Sequence, residues 1–225
     1  MAIRLPDTIC RSAGPPVVTS VSSARPLFWS FAKRALDICV SALVIVLGMP
    51  AFVVIGALVW LDSGCPVIYR RRVVGPKGEF DAFKFRSMKP DADSLLAADL
   101  ALREEFEQNF KLRNDPRLTR VGAVIRKFSV DELPQLFNVL MGQMSLVGPR
   151  MITAGELAKY GPHQKQLLSV KPGLTGYWQI NGRQAVSYDD RVRMDMFYIQ
   201  HWSFWLDLKI IMKTPVKVLR REGAY

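Results

Sequence analysis

Residues 129–150 read SVDELPQLFNVLMGQMSLVGPR. Leu133, Leu136, Phe137 and Leu140 recur at helical spacing, which predicts an amphipathic helix with one buried face and hence a fixed N-terminus. Two adjacent carboxylates, Asp131 and Glu132, stand at that end. Ser129 with Glu132 three residues on has the form of a capping box, whereas Pro134 favours a start nearer Asp131. Either start puts Asp131 at the positive end of the helix dipole, which favours its ionised form. An ionised, immobilised aspartate suits a nucleophile or a metal ligand; an ordinary helix cap is the competing reading.

The flanking segments bring cations toward this end. Residues 121–128, VGAVIRKF, carry Arg126 and Lys127 into it, and the Gly-Pro turn after the helix delivers Arg150. Further upstream, VIYRRRVV and EFDAFKFRSM are joined by Gly75-Pro-Lys-Gly, which predicts a β-hairpin over residues 67–88. Its second strand places Lys84 and Arg86 on one face with Ala82, and Phe83 and Phe85 on the other. A charged, solvated edge strand would show the same pattern. Residues 91–113 are expected to form one surface helix with Leu95, Leu102, Phe106 and Phe110 inward, and residues 155–170 another helix. Residues 171–183, KPGLTGYWQINGR, hold three glycines and a proline and are expected to form a binding loop in which Arg183 could face a phosphate.

Residues 1–28 are rich in Pro, Ser, Ala and Val without sustained periodicity and are expected to be a flexible tail that is not a cleaved signal. A membrane-embedded helix is expected over 29–62, because Ile38–Leu61 is a run of 24 residues without a charge. Gly48 and Pro50 interrupt it, and basic residues flank both ends, so the positive-inside rule gives no orientation. A bend at Gly48 and Pro50 that returns the helix to the cytoplasmic face would satisfy both flanks; a single span or a buried core helix are the alternatives. The C-terminal stretch mixes Trp202, Trp205, Phe197, Phe204 and Tyr198 with basic residues, as in helices lying in a membrane interface or in an aromatic core pair. Asp195 and Asp207 lie inside these apolar stretches, where a buried carboxylate needs a cation, a metal or strong donors.

Thirty-one Lys and Arg against 20 Asp and Glu, a net charge of +11, call for anionic partners. The chain has no groove-reading motif for nucleic acid, and three cysteines without CxxC spacing give neither a disulfide framework nor a zinc site. The fold class that follows is α+β and mostly helical: a re-entrant membrane helix, a small hairpin, and a cytoplasmic catalytic domain over 63–225 with interfacial amphipathic helices. Paired carboxylates, several cations and a membrane element suit a phosphorylated substrate and a lipid partner, with Mg2+ bridging Asp131, Glu132 and phosphate oxygens.

KFRSM, DELPQLFNVLMGQMSLVGPR, KPGLTGYWQINGR and YIQHWSFWLDLKI together resemble the bacterial sugar transferases, the monotopic polyprenyl-phosphate hexose-1-phosphate transferases that initiate exopolysaccharide synthesis, over about residues 33–221. The resemblance implies transfer of hexose 1-phosphate from a UDP-sugar, UDP-glucose or UDP-galactose, to undecaprenyl phosphate with release of UMP. It implies Asp131 as nucleophile through a phosphosugar-aspartyl intermediate, Glu132 on magnesium, Lys84, Arg86, Arg126 and Arg150 on phosphates, and Arg183 on the nucleotide sugar. Asp195 and Asp207 match acidic positions of the C-terminal motif. It also implies a re-entrant helix in the bacterial inner membrane, a catalytic domain on the cytoplasmic face, and downstream glycosyltransferases acting on the product; a homo-oligomer is left open. Gln143 stands where an acid is expected and Met151 where a proline is, and Gly48-Met49-Pro50 replaces Ser-Pro at the bend.

Overall fold

The computed structural model of the chain describes residues 27–109, 112, 115–182 and 186–219. Residues 1–26 of the expected N-terminal tail, Phe110 and Arg183 lie outside these residues, while Leu27 and Phe28, expected in that tail, are helical. The apolar run and its basic lead-in form one helix, α1 (Leu27–Ser63), which continues through Gly48 and Pro50. The expected interruption is therefore not a break in the helix.

One stripe of α1 is covered: Asp37, Ser41, Ile45 and Val59 are buried, with Phe52 partly so, at spacings of four and seven. Much of the rest is bare and apolar, including Leu43, Val46, Leu47, Val53, Val54 and Leu61. The covered stripe binds the same globular body from one end to the other. Near the start, Lys33 reaches Asp207 at 2.6 Å, Arg34 donates to the carbonyls of Val139 and Leu140, and Asp37 accepts from the Leu146 amide. Near the end, Asp62 accepts from the Val121 amide at 2.9 Å.

The hairpin forms as the sequence predicts: β1 (Ile68–Gly75) pairs antiparallel with β2 (Gly78–Phe85) across Pro76-Lys77, with Tyr69 opposite Lys84 and Arg71 opposite Ala82. The expected surface helix is two, α2 (Ala92–Ala98) and α3 (Leu100–Asn109). Asp99, extended between them, ends the first and accepts from the Leu102 amide to start the second. Thr119 caps α4 (Arg120–Lys127) by accepting from the Gly122 amide. Gly122 lets this helix touch the hairpin's exit, since a Cβ there would lie 2.0 Å from the Ser87 carbonyl oxygen.

After α5 (Gln135–Leu140) and β3 (Ser145–Val147), residues 154–167 are not the single helix expected. They break into α6 (Ala154–Leu157), a 3-10 stretch containing Gly161 and Pro162, and α7 (Gln164–Leu167). The expected binding loop is also ordered secondary structure. Gly173–Thr175 is strand β4, parallel to β3, and Tyr177–Asn181 is helix α8. The loop-like glycines serve contact between backbones: a Cβ on Gly148 would lie 2.6 Å from Gly173 N, and one on Gly173 2.1 Å from Gly148 N.

Helices α9 (Tyr188–Gln200) and α10 (Phe204–Leu219) complete the chain. The first is core: Val192, Met194, Asp195, Met196 and Tyr198 are buried, which rules out the interfacial alternative for that helix. The second keeps Trp205, Met212 and Val216 exposed while Asp207 and Ile210 are buried. The main core gathers Ile45 of α1, Val73, Phe80 and Ala82 of the hairpin, Leu136 and Val139 of α5, Tyr177 and Ile180 of α8, Tyr198 and Ile210. A second cluster joins Val59, Phe85 and Ile125 at the far end of α1.

Candidate active site

The Asp131-Glu132 pair does not sit at the start of the predicted helix. Val130–Glu132 is a 3-10 turn entered through Ser129, whose φ of 55° is left-handed, and α5 begins only after Pro134. The capping box does not form: Ser129 is left-handed and its side chain makes no cap hydrogen bond to this turn. A non-glycine residue in that region is strained, and the strain lies immediately before the carboxylates. The buried face of α5 also differs: Gln135, Leu136, Asn138 and Val139 point inward, whereas Phe137 is 40% exposed and stacks edge-on with Phe52 of α1. The membrane helix supplies the apolar surface that the sequence pattern assigned to the core.

Asp131 is buried, and its burial pushes the carboxyl up to about 6 against the pull of Lys84 and Arg126, with Glu132 adding to the rise. A short helix dipole does not win here; desolvation does. Glu132 behaves in the opposite way. Partial burial is the largest influence and raises it, yet Lys84, hydrogen-bonded at 2.5 Å, with Arg150 and Arg71 beyond, together hold it below the ordinary carboxylate range. Two neighbouring acids are thus split, one toward neutral and one firmly ionised.

Hairpin register explains which cations arrive. Lys84 and Arg71 share one face with Ala82, Val73 and Phe80, and that face meets the turn. The expected partner of Lys84, Arg86, lies past the end of β2 and turns away, donating to the carbonyls of Ser63 and Cys65 at 3.4 and 3.1 Å. So the two converging cations are Lys84 and Arg71. The pairing is locked by Asn138 of α5, which accepts from the Phe83 amide and donates to the Asp81 carbonyl and to Gln143. Gln143 therefore works as an acceptor, a role an acid would fill equally. Arg126, at the end of α4, is 39% exposed and 3.8 Å from Asp115.

Arg150 enters from the opposite side. Its backbone bridges Gly173, its amide is caught by Asp195 at 3.2 Å, and its guanidinium lies over the Trp178 ring. Asp195 is fully buried and accepts from the Tyr160 hydroxyl at 2.8 Å; burial drives it up to about 7. It orients Arg150 without touching the guanidinium. Met151, next in the chain, is packed in the main core. Asp207 belongs elsewhere. Its oxygens accept from Lys33, Tyr198 and Trp202, so this acid joins α1, α9 and α10, and the sequence-based substrate role gains nothing from its position.

Three contributors escaped the sequence reading. Arg71 was one of three consecutive arginines, and only pairing against Ala82 selects it. Trp178 was hidden in a segment read as loop. Arg191 belongs to the C-terminal stretch whose basic residues carry no individual signal in the sequence.

Residues 28–221 match the family described as bacterial sugar transferase. The chain belongs to that family. Among relatives of this bacterial sugar transferase, the exopolysaccharide production protein ExoY of Rhizobium meliloti is 41% identical over 96% of this chain and 98% of its own. The undecaprenyl-phosphate galactose phosphotransferase of Salmonella typhimurium is 48% identical over 87% of this chain and 42% of its own. The undecaprenyl-phosphate glucose phosphotransferase of Komagataeibacter xylinus is 40% identical over 93% of this chain and 40% of its own. This sugar transferase thus spans about two fifths of the length of the latter two and nearly all of the first.

Proposed function

We propose that the protein transfers hexose 1-phosphate from a UDP-sugar to undecaprenyl phosphate, releasing UMP and starting an exopolysaccharide repeat unit. The observation that carries this reading is the split pair of carboxylates, a buried Asp131 beside an ionised Glu132, between Lys84 and Arg71 on one side and Arg150 on the other. The names of the relatives support the substrates, both galactose and glucose being represented.

In the proposed mechanism a carboxylate oxygen of Asp131 attacks the phosphorus that carries the sugar. The bond from that phosphorus to the bridging oxygen breaks, and UMP leaves with the electron pair. A phosphate oxygen of undecaprenyl phosphate then attacks the same phosphorus, displaces Asp131, and yields the diphosphate-linked sugar. Splitting the transfer lets a soluble nucleotide and a membrane lipid use one site in turn. Lys84, Arg126 and Arg150 would hold phosphate oxygens, and Arg183 the nucleotide sugar. Among the described residues no group of three His, Cys, Asp or Glu stands ready to hold a metal, and magnesium, which binds through one or two carboxylates together with substrate phosphates and water, would be held by Asp131 and Glu132 once a phosphate is present. When bound it supplies Lewis acidity and charge neutralisation at the phosphate, with Glu132, kept ionised, as its main protein ligand.

The lipid reaches the site from the other hairpin face. Phe83, Phe85, Ile68, Phe52, Pro134 and Phe137 line an open, mostly apolar groove of about 1150 Å3 that Arg70 also borders, and strand alternation keeps these side chains on the hairpin face opposite Lys84 and Arg71. Helix α1 supports the membrane placement. Contacts from Lys33 to Asp62 cover about 44 Å of helix at 1.5 Å per residue, all on one body. A perpendicular span would pull that polar body into hydrocarbon, which favours a helix that enters and leaves by one face, with the catalytic part on the cytoplasmic side of the inner membrane.

The deciding experiment is UMP release by the purified chain with magnesium, undecaprenyl phosphate and a panel of UDP-hexoses. Lipid-dependent UMP from one hexose is expected. Folded protein in lipid that releases none from any sugar would point instead to a membrane-attached scaffold for anionic lipid.

A further inference from the structure

The region behind Arg150 holds a second cation that no step above uses. Arg191 of α9 is 9% exposed, and its guanidinium lies 4.8 Å from the Trp178 ring centroid and 5.4 Å from that of Tyr188; Arg150 lies 5.2 Å from the same Trp178 ring. Two guanidinium groups therefore share one indole. Among the described residues neither has a carboxylate within ion-pair distance, and the Nε of each is buried without a hydrogen-bond partner. The Trp178 Nε1 and the Tyr188 hydroxyl are buried and unpartnered as well.

The nearby acids do not neutralise the pair. Asp195 is engaged with Tyr160 and the Arg150 backbone, and Glu156 faces Arg71 at 3.6 Å. Burial first, and the Arg150 charge next, push the Arg191 guanidinium below its ordinary value, against smaller opposite effects from Tyr160, Tyr188 and Asp195. Like charges gathered in a poorly solvated place with open donors are stable only with an anion to share.

Resting on the transferase reading, we propose that Arg150 and Arg191, aligned on Trp178, form a two-guanidinium clamp for a substrate phosphate, with Arg191 a substrate-binding residue and Trp178 the positioning platform. The clamp adjoins the carboxylate turn, because Arg150 also acts on Glu132. Planar forks on an aromatic platform suit a group with several oxygens, such as a diphosphate, better than a single point charge. The phosphate can come from the sugar nucleotide or from the polyprenyl phosphate, and both present the same oxygens.

The test uses the full chain in lipid nanodiscs and compares wild type with Arg191→Gln, Arg191→Lys and Trp178→Phe. UDP affinity is measured directly, and KM is measured separately for the UDP-sugar and for undecaprenyl phosphate. Loss of a charged hydrogen-bond donor is expected to weaken the bound phosphate about tenfold to a hundredfold in Arg191→Gln. Arg191→Lys recovers part of this, and Trp178→Phe loses less. A change in UDP affinity and UDP-sugar KM alone assigns the clamp to the nucleotide; a change in undecaprenyl phosphate KM alone assigns it to the lipid. UDP affinity and both KM values within twofold of wild type in Arg191→Gln overturn the clamp. If that variant unfolds, Arg191→Lys decides in the same way. UDP binding is independent of turnover, so a wild type that binds UDP but releases no UMP defeats the transferase reading, while loss of that binding in Arg191→Gln keeps the clamp.

Discussion

At the scale of single residues the proposed mechanism turns on the protonation of Asp131. With its carboxyl pushed up to about 6, chiefly by burial, the transfer rate is expected to rise with pH through about 6 and level off above. A flat rate between pH 5 and 8 would remove Asp131 as the nucleophile. Stability runs the other way. The folded-state value lies above the ordinary aspartate value of 3.8, so the folded form binds the proton more tightly, and stability is lost as pH rises from about 4 to about 6. Asp131→Asn should therefore abolish UMP release and yet melt higher than wild type at pH 8, by at most about 2–3 kcal/mol, with the gap closing near pH 4. Lys84→Met removes the strongest charge opposing the rise and the partner of Glu132. Its expected signature is a rate at pH 7 lowered at least ~10-fold together with an acid limb moved above 6, read from the pH profile of UMP release.

At the scale of elements the site depends on how the hairpin is latched to α5. Asn138 makes three bonds at once, to the Phe83 amide at 2.9 Å and to the Asp81 carbonyl and Gln143 at 2.7 Å. Asn138→Ala leaves buried groups without partners and should lower stability by about 2–3 kcal/mol in denaturant titrations. Because β2 carries Lys84, the same change should reduce transfer more than the fraction unfolded accounts for. Gln143→Glu keeps the acceptor and should shift stability by less than about 0.5 kcal/mol. An equal loss in both variants would mean that the latch is not what holds the strand.

At the scale of the whole molecule, α1 is docked by the Lys33–Asp207 ion pair, by hydrogen bonds and by apolar packing. Lys33→Ala would leave Asp207, 1% exposed, without its cation, and should destabilise the protein by about 3 kcal/mol in detergent. Asp207→Asn discriminates between anchoring and substrate binding. A lower melting temperature with an unchanged KM for the UDP-sugar is expected, and a raised KM in stably folded protein would restore the substrate role. Tags on both termini probed in sealed inverted vesicles should be accessible from the cytoplasmic face alike, and opposite accessibility would eliminate the re-entrant arrangement.

By itself the sequence determined the apolar helix and the hairpin with its turn, and singled out Asp131, Glu132 and Arg150 as candidates, because each rests on local rules: an uninterrupted apolar run, strand alternation around a glycine turn, and short ordered motifs. It misjudged segments whose state is set by distant partners. The glycines of 171–183 read as loop until β4 met β3 at backbone contact, and Phe137 read as core until α1 gave it another surface. Only the tertiary structure decided that Arg71 rather than Arg86 joins Lys84, since that follows from cross-strand register. Likewise Asp207 serves α1 while Asp195 serves the Arg150 backbone, and burial raises the Asp131 carboxyl to about 6 where a helix dipole would lower it. Charge chemistry is carried by residue identity, but desolvation and pairing exist only once the chain has brought its distant segments together.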